Sequence, residues 1–207
     1  MENGGIAGAV FQVRGPLGYS FTRFHNPILR EAAQRTSMQT VTRRENYVRH
    51  HMAIRPACTS EAGALDRVAM AAKAHWGYSV QDLARWAKDL STPPDTIAAW
   101  PTLVAESEGT VVGFMQLCPN SSPWELVSLW VHPEHMGHGI GRNLLQEAIA
   151  TAASAGQRRI HIDADPNALG FYLALGAMQV ATVPAPTSNE LERVRPQLQL
   201  QLVVSGA

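Results

Sequence analysis

The sequence predicts one domain of the α/β (α+β) class, in which helices flank a mixed, mostly antiparallel sheet of seven strands. Short runs rich in β-branched and aromatic residues alternate with segments whose apolar residues recur at helical spacing. At the centre of the chain, one apolar run is followed by three alternating glycines and then by an amphipathic helix. With 207 residues, of which 45% are hydrophobic, the chain is long enough to bury a sizeable core.

The composition indicates a globular protein and argues against several classes of partner. Seventeen basic and seventeen acidic residues cancel, so we expect neither a nucleic-acid partner nor a membrane surface. No apolar run approaches the roughly 18 residues of a membrane-spanning helix. Cys58 and Cys118 lie far apart, and no His/Cys cluster has the spacing of metal ligands. We therefore predict no metal and a reduced, cytoplasmic setting.

Residues 1–51 differ from the remainder in charge. They hold seven arginines, no lysine, three glutamates and no aspartate, a net charge of 7 − 3 = +4. Two interpretations are open, an organelle transit peptide and an upstream extension. We favour the extension, because Met52-Ala-Ile-Arg-Pro-Ala reads like the beginning of a domain. The domain is therefore placed at 52–207, and most of 1–51 is expected to be poorly ordered.

The first half of the domain combines capping residues, helical stripes and a hairpin signal at Glu108-Gly109. The predicted elements are a strand at 53–57, a helix from Thr59 or Ser60 to Trp76, a helix from Ser79 to Leu90, a loop at 91–95, and strands at 102–105 and 110–117.

The second half begins after a loop at 119–123, with a strand that Pro133 ends because proline cannot donate to a ladder. A C-cap glycine closes the long helix that follows the glycines. The predicted elements are a strand at 124–131, a glycine loop at 137–141, a helix ending at Gly156, a strand at 159–163, a short helix within 165–177, a strand at 178–183, a linker at 184–195 and a strand at 197–204.

The glycine loop at 137–141 has the composition of an anion site. Glycines at a helix start let main-chain N–H groups approach a ligand, and the first helical donors have no intrahelical partner. These donors and the helix dipole favour phosphate or pyrophosphate, to which Arg142 adds positive charge. A dinucleotide-binding fold is one alternative, with Asp163 or Asp165 as its ribose-binding acid. It fits poorly, because five residues separate strand from glycines and no further βαβ units follow.

Two stretches of the sequence resemble motifs of the GNAT superfamily of N-acyltransferases. VHPEHMGHGIGRNLL resembles the acyl-CoA-binding loop Q/R-x-x-G-x-G/A, with Met136 at the Q/R position and Gly139 and Gly141 at the two glycine positions. ADPNALGFYLALGA is similar to the motif after the fifth strand, in which Asn167 takes the position of an asparagine that precedes the last helix. The resemblance covers about residues 52–204.

The resemblance implies acetyl-CoA as co-substrate. In this family the pyrophosphate is held mainly by main-chain amides, and the pantetheine arm enters where the central strand bulges and splays from its neighbour. The residues that the resemblance assigns to the cofactor are Leu129, Val131, Met136, Gly137, His138, Gly139, Ile140, Gly141, Arg142, Asn167 and Tyr172.

Catalytic roles follow from the same resemblance. An amine must lose a proton before it attacks, and Glu125 is the acid best placed on the central strand to act as general base. Tyr172 matches the family's general acid, which protonates the departing thiolate. The resemblance also places an acceptor pocket near the first two helices and the central strand. The residues predicted to shape this pocket are His75, Trp76, Tyr78 and Ser128.

The predicted function is transfer of the acetyl group of acetyl-CoA directly to a primary amine in a ternary complex. The acceptor is a small molecule or a peptide, and its identity stays open, because acceptor pockets are built from variable loops. A second hypothesis is a non-catalytic acyl-CoA-binding domain with a regulatory role, for which the departure at Met136 leaves room. The oligomeric state is also open, with a homodimer as one alternative.

Overall fold

The computed structural model describes residues 11–12 and 52–203, so most of the prediction for 1–51 lies outside the described residues. The strands are β1 (Phe11–Gln12), β2 (Met52–Pro56), β3 (Thr102–Ser107), β4 (Thr110–Cys118), β5 (Trp124–Val131), β6 (Arg159–Asp163), β7 (Met178–Pro184) and β8 (Val194–Gln201). The helices are α1 (Ala62–Ala74), α2 (Val80–Trp86), α3 (Pro94–Ala99), α4 (Ile140–Ser154) and α5 (Leu169–Ala174), with 3-10 turns at Thr59–Glu61, Pro133–His135 and Pro166–Ala168.

Seven strands form one sheet in the order β2-β3-β4-β5-β6-β8-β7, and β1 pairs with β5 outside this path. Every neighbouring pair along the path is antiparallel except β5 and β6, which run parallel. The predicted mixed, mostly antiparallel sheet of seven strands is therefore confirmed. Glu108 and Gly109 adopt φ of 52° and 77°, the left-handed geometry of a tight hairpin turn, as predicted for the connection of β3 to β4.

The structure corrects four element boundaries. The predicted loop at 91–95 ends early, because Pro94 suits a first helical turn and begins helix α3, in which Ile97 is buried. Helix α2 ends at Trp86 instead of Leu90, and strand β8 begins at Val194 instead of Gln197. Cys58 is the N-cap of the 3-10 turn that leads into α1, and its N–H donates to the Glu61 carboxylate at 2.7 Å, whereas the N-cap of α1 itself is Glu61.

The core lies on both sides of β4 and β5. These strands are buried almost without interruption, because α1 and α4 both pack against them. Gly113 on β4 marks the closest approach of α4, since a Cβ there would lie 2.9 Å from the Trp130 carbonyl oxygen and 3.3 Å from Ile140 and Leu144. None of the helices in the described ranges is long and apolar enough to cross a membrane.

Candidate active site

The chain between β5 and α4 forms an open glycine loop. Gly137 and Gly139 adopt φ of 80° and 81°, a left-handed conformation that side chains with a Cβ rarely take. Gly139 is the N-cap of α4, and the first main-chain donors of that helix have no acceptor within it. Nothing lies within 4 Å of the position of a Cβ on either glycine, so the main chain is accessible there. The predicted order of strand, glycine loop and helix is confirmed.

A cavity of about 190 Å³ opens at this loop. Seven of the residues predicted to contact the cofactor line it: Val131, Met136, Gly137, Gly139, Ile140, Gly141 and Arg142. Phe171, Ala174 and Leu175 complete the lining together with His135, and the prediction missed these four. The first three recur at i, i+3 and i+4, so they share one face of a helix, and this spacing was the available signal.

The other four residues predicted to contact the cofactor do not line this cavity: Leu129, His138, Asn167 and Tyr172. His138 is exposed and does not line it. Asn167 instead donates from its side-chain amide to the Tyr78 hydroxyl at 3.1 Å and to the Asp165 carboxylate at 2.9 Å. Asn167 therefore belongs to the polar network around Asp165, and its assignment to the cofactor stays a prediction.

Strand β5 separates from β6 soon after the two strands meet. They pair only at Trp124–Ile160 and Glu125–His161. The register of β5 against β4 shifts between Gln116 and Leu117, which is the sign of a β-bulge next to the point of separation. The predicted bulge and splayed central strands are therefore present.

Beyond the splay, the edge of β5 that faces β6 is open to another chain segment. There Phe11 and Gln12 pair with Leu129 and Ser128. Strand β1 therefore lies on the edge where Leu129 was predicted to meet the pantetheine arm.

Tyr172 lies on α5 and is completely buried. Its ring packs edge-on against the cavity residue Phe171, with 5.0 Å between ring centroids. Burial raises the pKa of the phenol, so the hydroxyl keeps its proton throughout the physiological range. The protonated phenol therefore lies beside a residue of the cavity wall.

Glu125 lies at the beginning of the splay and is half-buried. Burial is the main cause that raises the pKa of its carboxyl to about 7, and the negative charge of Asp163 adds to the effect. A carboxyl with this pKa is partly ionised at neutral pH and can both accept and release a proton there. Among the residues that the structure describes, no group of three or more His, Cys, Asp or Glu side chains is arranged to hold a metal ion.

Asp163 continues the polar surface along β6. Its carboxylate accepts a hydrogen bond from the Gln197 amide at 2.7 Å and forms an ion pair with Arg195 at 2.8 Å. Gln197 also contacts the ring of His161 at 3.0 Å. Burial raises the pKa of the Asp163 carboxyl, and the Arg195 charge opposes that rise.

A buried network surrounds Asp165 at the end of β6. Its carboxylate pairs with Lys73 at 2.5 Å and with Arg193 at 2.9 Å, and it accepts a hydrogen bond from the Tyr78 hydroxyl. Burial lowers the pKa of Lys73. Burial alone would raise the pKa of the Asp165 carboxyl, but the charge of Lys73 and the hydrogen bonds that Asp165 accepts outweigh it, so that this pKa is lowered. From the sequence, Asp163 and Asp165 were considered only as ribose-binding acids. Their pairing with Lys73, Arg193 and Arg195 was not predicted.

The four residues predicted for the acceptor pocket have different contacts, and their assignment to that pocket stays a prediction. Tyr78 belongs to the Asp165 network, and Trp76 packs partly buried against the main core. His75 is exposed and contacts Trp76 edge-on, with 5.4 Å between ring centroids. Ser128 is buried on β5 opposite Gln116.

Curated relatives share part of this chain. It is 31% identical over 108 residues to the L-amino acid N-acyltransferase MnaT of Escherichia coli, covering 42% of this chain and 59% of that protein. It is 34% identical over 77 residues to the mycothiol acetyltransferase of Cellulomonas flavigena, covering 37% of this chain and 22% of that protein. The chain thus spans less than two thirds of the length of either relative.

Solved structures match over a larger share. A GCN5-related N-acetyltransferase from Rhodopseudomonas palustris superposes with a TM-score of 0.60 at 23% identity, covering 72% of this chain and 95% of that one. The yncA protein of Salmonella typhimurium, solved with its cofactor acetyl-CoA, gives a TM-score of 0.54 at 26% identity, covering 75% and 96%. The model of the acetyltransferase (GNAT) family matches residues 69–177, more than half of the sequence. The chain belongs to the GNAT family of acetyltransferases.

Proposed function

We propose that this protein is an N-acetyltransferase that transfers the acetyl group of acetyl-CoA directly to a primary amine in a ternary complex. The observation that carries this proposal is the glycine loop at the start of α4, which borders a cavity and leaves its main-chain donors accessible. Family membership, and the acetyl-CoA bound to the similar yncA protein, support the same reading.

The residues of the loop fit the diphosphate of coenzyme A. Two glycines without neighbours at their Cβ positions permit the close main-chain approach that a diphosphate needs, and the helix dipole favours its negative charge. Arg142 is exposed at the rim of the cavity, where its charge can contact a phosphate. Met136 lines the same cavity as an apolar side chain, so the departure from the family motif leaves the main-chain site intact.

The pantetheine arm is assigned to the splayed edge of β5. Main-chain groups of Leu129 and Val131 on this edge are the partners proposed for its amides. Because β1 pairs with the same edge at Leu129, binding of the arm requires β1 to leave that position. Phe171 provides an apolar surface beside the loop.

Acetyl-CoA would supply an activated acetyl thioester, and the protein would supply orientation and proton transfer. Holding the amine and the thioester in one cleft accounts for most of the acceleration, because it replaces a bimolecular encounter. Glu125 accepts a proton from the ammonium, for which a pKa of about 7 is well matched. As the nitrogen–carbon bond forms and the carbon–sulfur bond breaks, Tyr172, which keeps its proton at neutral pH, donates that proton to the leaving sulfur and takes up the proton that the nitrogen loses.

The second candidate, a non-catalytic acyl-CoA-binding domain, retains the loop but needs no base. Glu125 argues against a non-catalytic domain, because its half-buried carboxyl has a pKa near neutrality and lies where β5 and β6 separate. Buried carboxyls of this kind cluster at functional sites.

The test is calorimetric titration of the full chain with acetyl-CoA, with NADH as the control ligand, followed by detection of free thiol with a panel of primary amines. Micromolar binding of acetyl-CoA alone and release of thiol with at least one amine are the expected results. Binding without turnover of any amine would favour the non-catalytic domain. Binding of NADH instead would revive the dinucleotide reading.

A further inference from the structure

The end of β6 is surrounded by more cations than carboxylates. Lys73, Arg193 and Arg195 contribute three positive charges, and their ion-pair partners Asp163 and Asp165 contribute two negative ones, a balance of 3 − 2 = +1 within these ion pairs, which the neighbouring Glu125 carboxyl lowers when it is ionised. Four of these five residues are buried. An uncompensated charge in such surroundings is costly, and it is stabilised when an anion binds beside it.

Arg195 is the member of this cluster that a ligand can reach. Lys73 and Arg193 are nearly enclosed, whereas 39% of the Arg195 side chain is exposed. The guanidinium pairs with Asp163 through Nη2, and its Nε is buried without a hydrogen-bond partner among the described residues. A guanidinium has five donors in a planar fork, so Arg195 retains donors for a carboxylate.

Glu125 and this cluster face the same side of the sheet. Glu125 lies opposite His161 in the parallel register of β5 and β6, and Asp163 is two residues further along β6. Two residues along a strand and one step between strands place the Cα atoms of Glu125 and Asp163 about 8 Å apart. The group that would accept the amine proton and the surplus positive charge therefore border one surface.

The connections that flank this surface are joined to each other. The main chain and hydroxyl of Ser188, in the β7–β8 connection, donate to the Asp82 carboxylate of α2 at 3.1 Å and 2.6 Å. Arg193, in the same connection, donates to the Tyr78 hydroxyl at 2.6 Å. An extended peptide lying between these connections would have to break such bonds, whereas a small acceptor would not.

We propose that the acceptor is a small primary amine that carries a carboxylate, such as a free amino acid, and that Arg195 receives this carboxylate while Glu125 faces the amine. The assignment rests on the proposed acetyl transfer and adds the substrate class and one specificity-determining residue. It makes the acceptor a zwitterion whose two charges meet two separate groups of the site.

The experiment measures acetylation by the full chain with acetyl-CoA and matched pairs of acceptors, each free L-amino acid beside its carboxamide. We expect at least one amino acid to show kcat/KM about tenfold or more above its amide, since only the acid offers a charge-assisted bond to Arg195. Arg195→Gln should bring acid and amide to within about twofold, chiefly by raising KM for the acid, and Arg195→Lys should retain part of the preference. Arg67→Gln, an exposed substitution on α1, is the control and should leave the preference unchanged.

The possible results of this experiment separate the carboxylate assignment from the proposed acetyl transfer. Amides that are acetylated as well as the acids, or a C-terminally amidated peptide that is acetylated better than any amino acid, would overturn the carboxylate assignment while leaving acetyl transfer intact. A preference for acids that Arg195→Gln leaves unchanged in a folded variant would remove Arg195 from the role. Failure to acetylate every acid, amide and peptide would overturn the proposed function together with this inference.

Discussion

The cofactor side and the proposed acceptor side of the candidate site are built from different kinds of chemical group. The cofactor side consists mostly of main chain and apolar side chains, with His135 and Arg142 as its polar members, and its residues come from two segments, 131–142 and 171–175. The proposed acceptor side consists of charged and polar side chains contributed by α1, the α1–α2 connection, β5, β6, β8 and the β7–β8 connection. The first side depends on backbone torsions, and the second depends on pairs of side chains that meet only in the folded domain.

This difference has a functional consequence. A diphosphate is common to every reaction with the same co-substrate, so a main-chain site that tolerates variation in side chains such as Met136 suffices for it. An acceptor must be distinguished from other amines, and side chains with a defined charge and shape provide that discrimination. Substitutions on the two sides should therefore affect different kinetic constants.

The largest effect is expected from Gly139→Val on the cofactor side. A β-branched residue at φ of 81° is strained by roughly 1–2 kcal/mol and blocks the open approach to the first main-chain donors of α4. Acetyl-CoA affinity, measured by calorimetry, should fall by at least about 100-fold, consistent with the loss of several hydrogen bonds to a charged group. Gly109→Val, at φ of 77° in the hairpin turn, introduces similar strain at a residue that does not line the cavity and should leave the affinity unchanged. Equal losses in both variants would mean that strain alone, and not the site, is being measured.

The next effect is expected from Glu125→Gln on the acceptor side. Removal of a general base should lower kcat by about 100-fold to 1,000-fold, with acetyl-CoA affinity unchanged. In the wild type, kcat/KM should fall as the pH drops below about 7, because the base is then protonated. The variant should lack this limb in a pH–rate profile. A limb that persists near pH 7 in Glu125→Gln would assign it to another group.

Tyr172→Phe should have a smaller effect. A thiol with an ordinary pKa of about 8.5 is a tolerable leaving group without assistance, so loss of the phenolic proton should lower kcat by about tenfold. Because burial keeps the hydroxyl protonated, the acid limb near pH 7 should not move. Calorimetric affinity for acetyl-CoA serves as the control, since Phe171 and the loop remain in place. A rate equal to that of the wild type would leave Tyr172 a packing role only.

The smallest effect is expected from Asp163→Asn, which changes a neighbour of the base. Its negative charge raises the pKa of Glu125, so removing it should lower that pKa. The base then stays ionised to lower pH, and the acid limb of the pH–rate profile should move in that direction. Burial is the larger cause and persists, so the pKa should stay above its ordinary value. A limb that moves to higher pH would contradict the assigned coupling.

Much of the cofactor side could be predicted from the sequence because its signals are local. Proline at the end of a strand, glycines on alternate positions and an apolar stripe at helical spacing all act within about 30 residues, and each restricts backbone torsions directly. The sheet class followed from the same kind of pattern. Phe171, Ala174 and Leu175 were missed although their spacing was visible, because the sequence alone does not say which face of α5 turns toward the loop.

The residues of the proposed acceptor side come together only in the tertiary structure. Lys73 lies 92 residues from Asp165, and Tyr78 lies 115 residues from Arg193, so no local pattern joins them. The pKa of Glu125 likewise depends on burial and on a charge from the next strand. The sequence by itself determined the fold class and the glycine loop, because torsional preference and hydrophobic periodicity act over short stretches, and its two motifs carried the resemblance to the family. Only the packed domain decided which charges meet, because electrostatic pairing depends on distance in space and on removal from water.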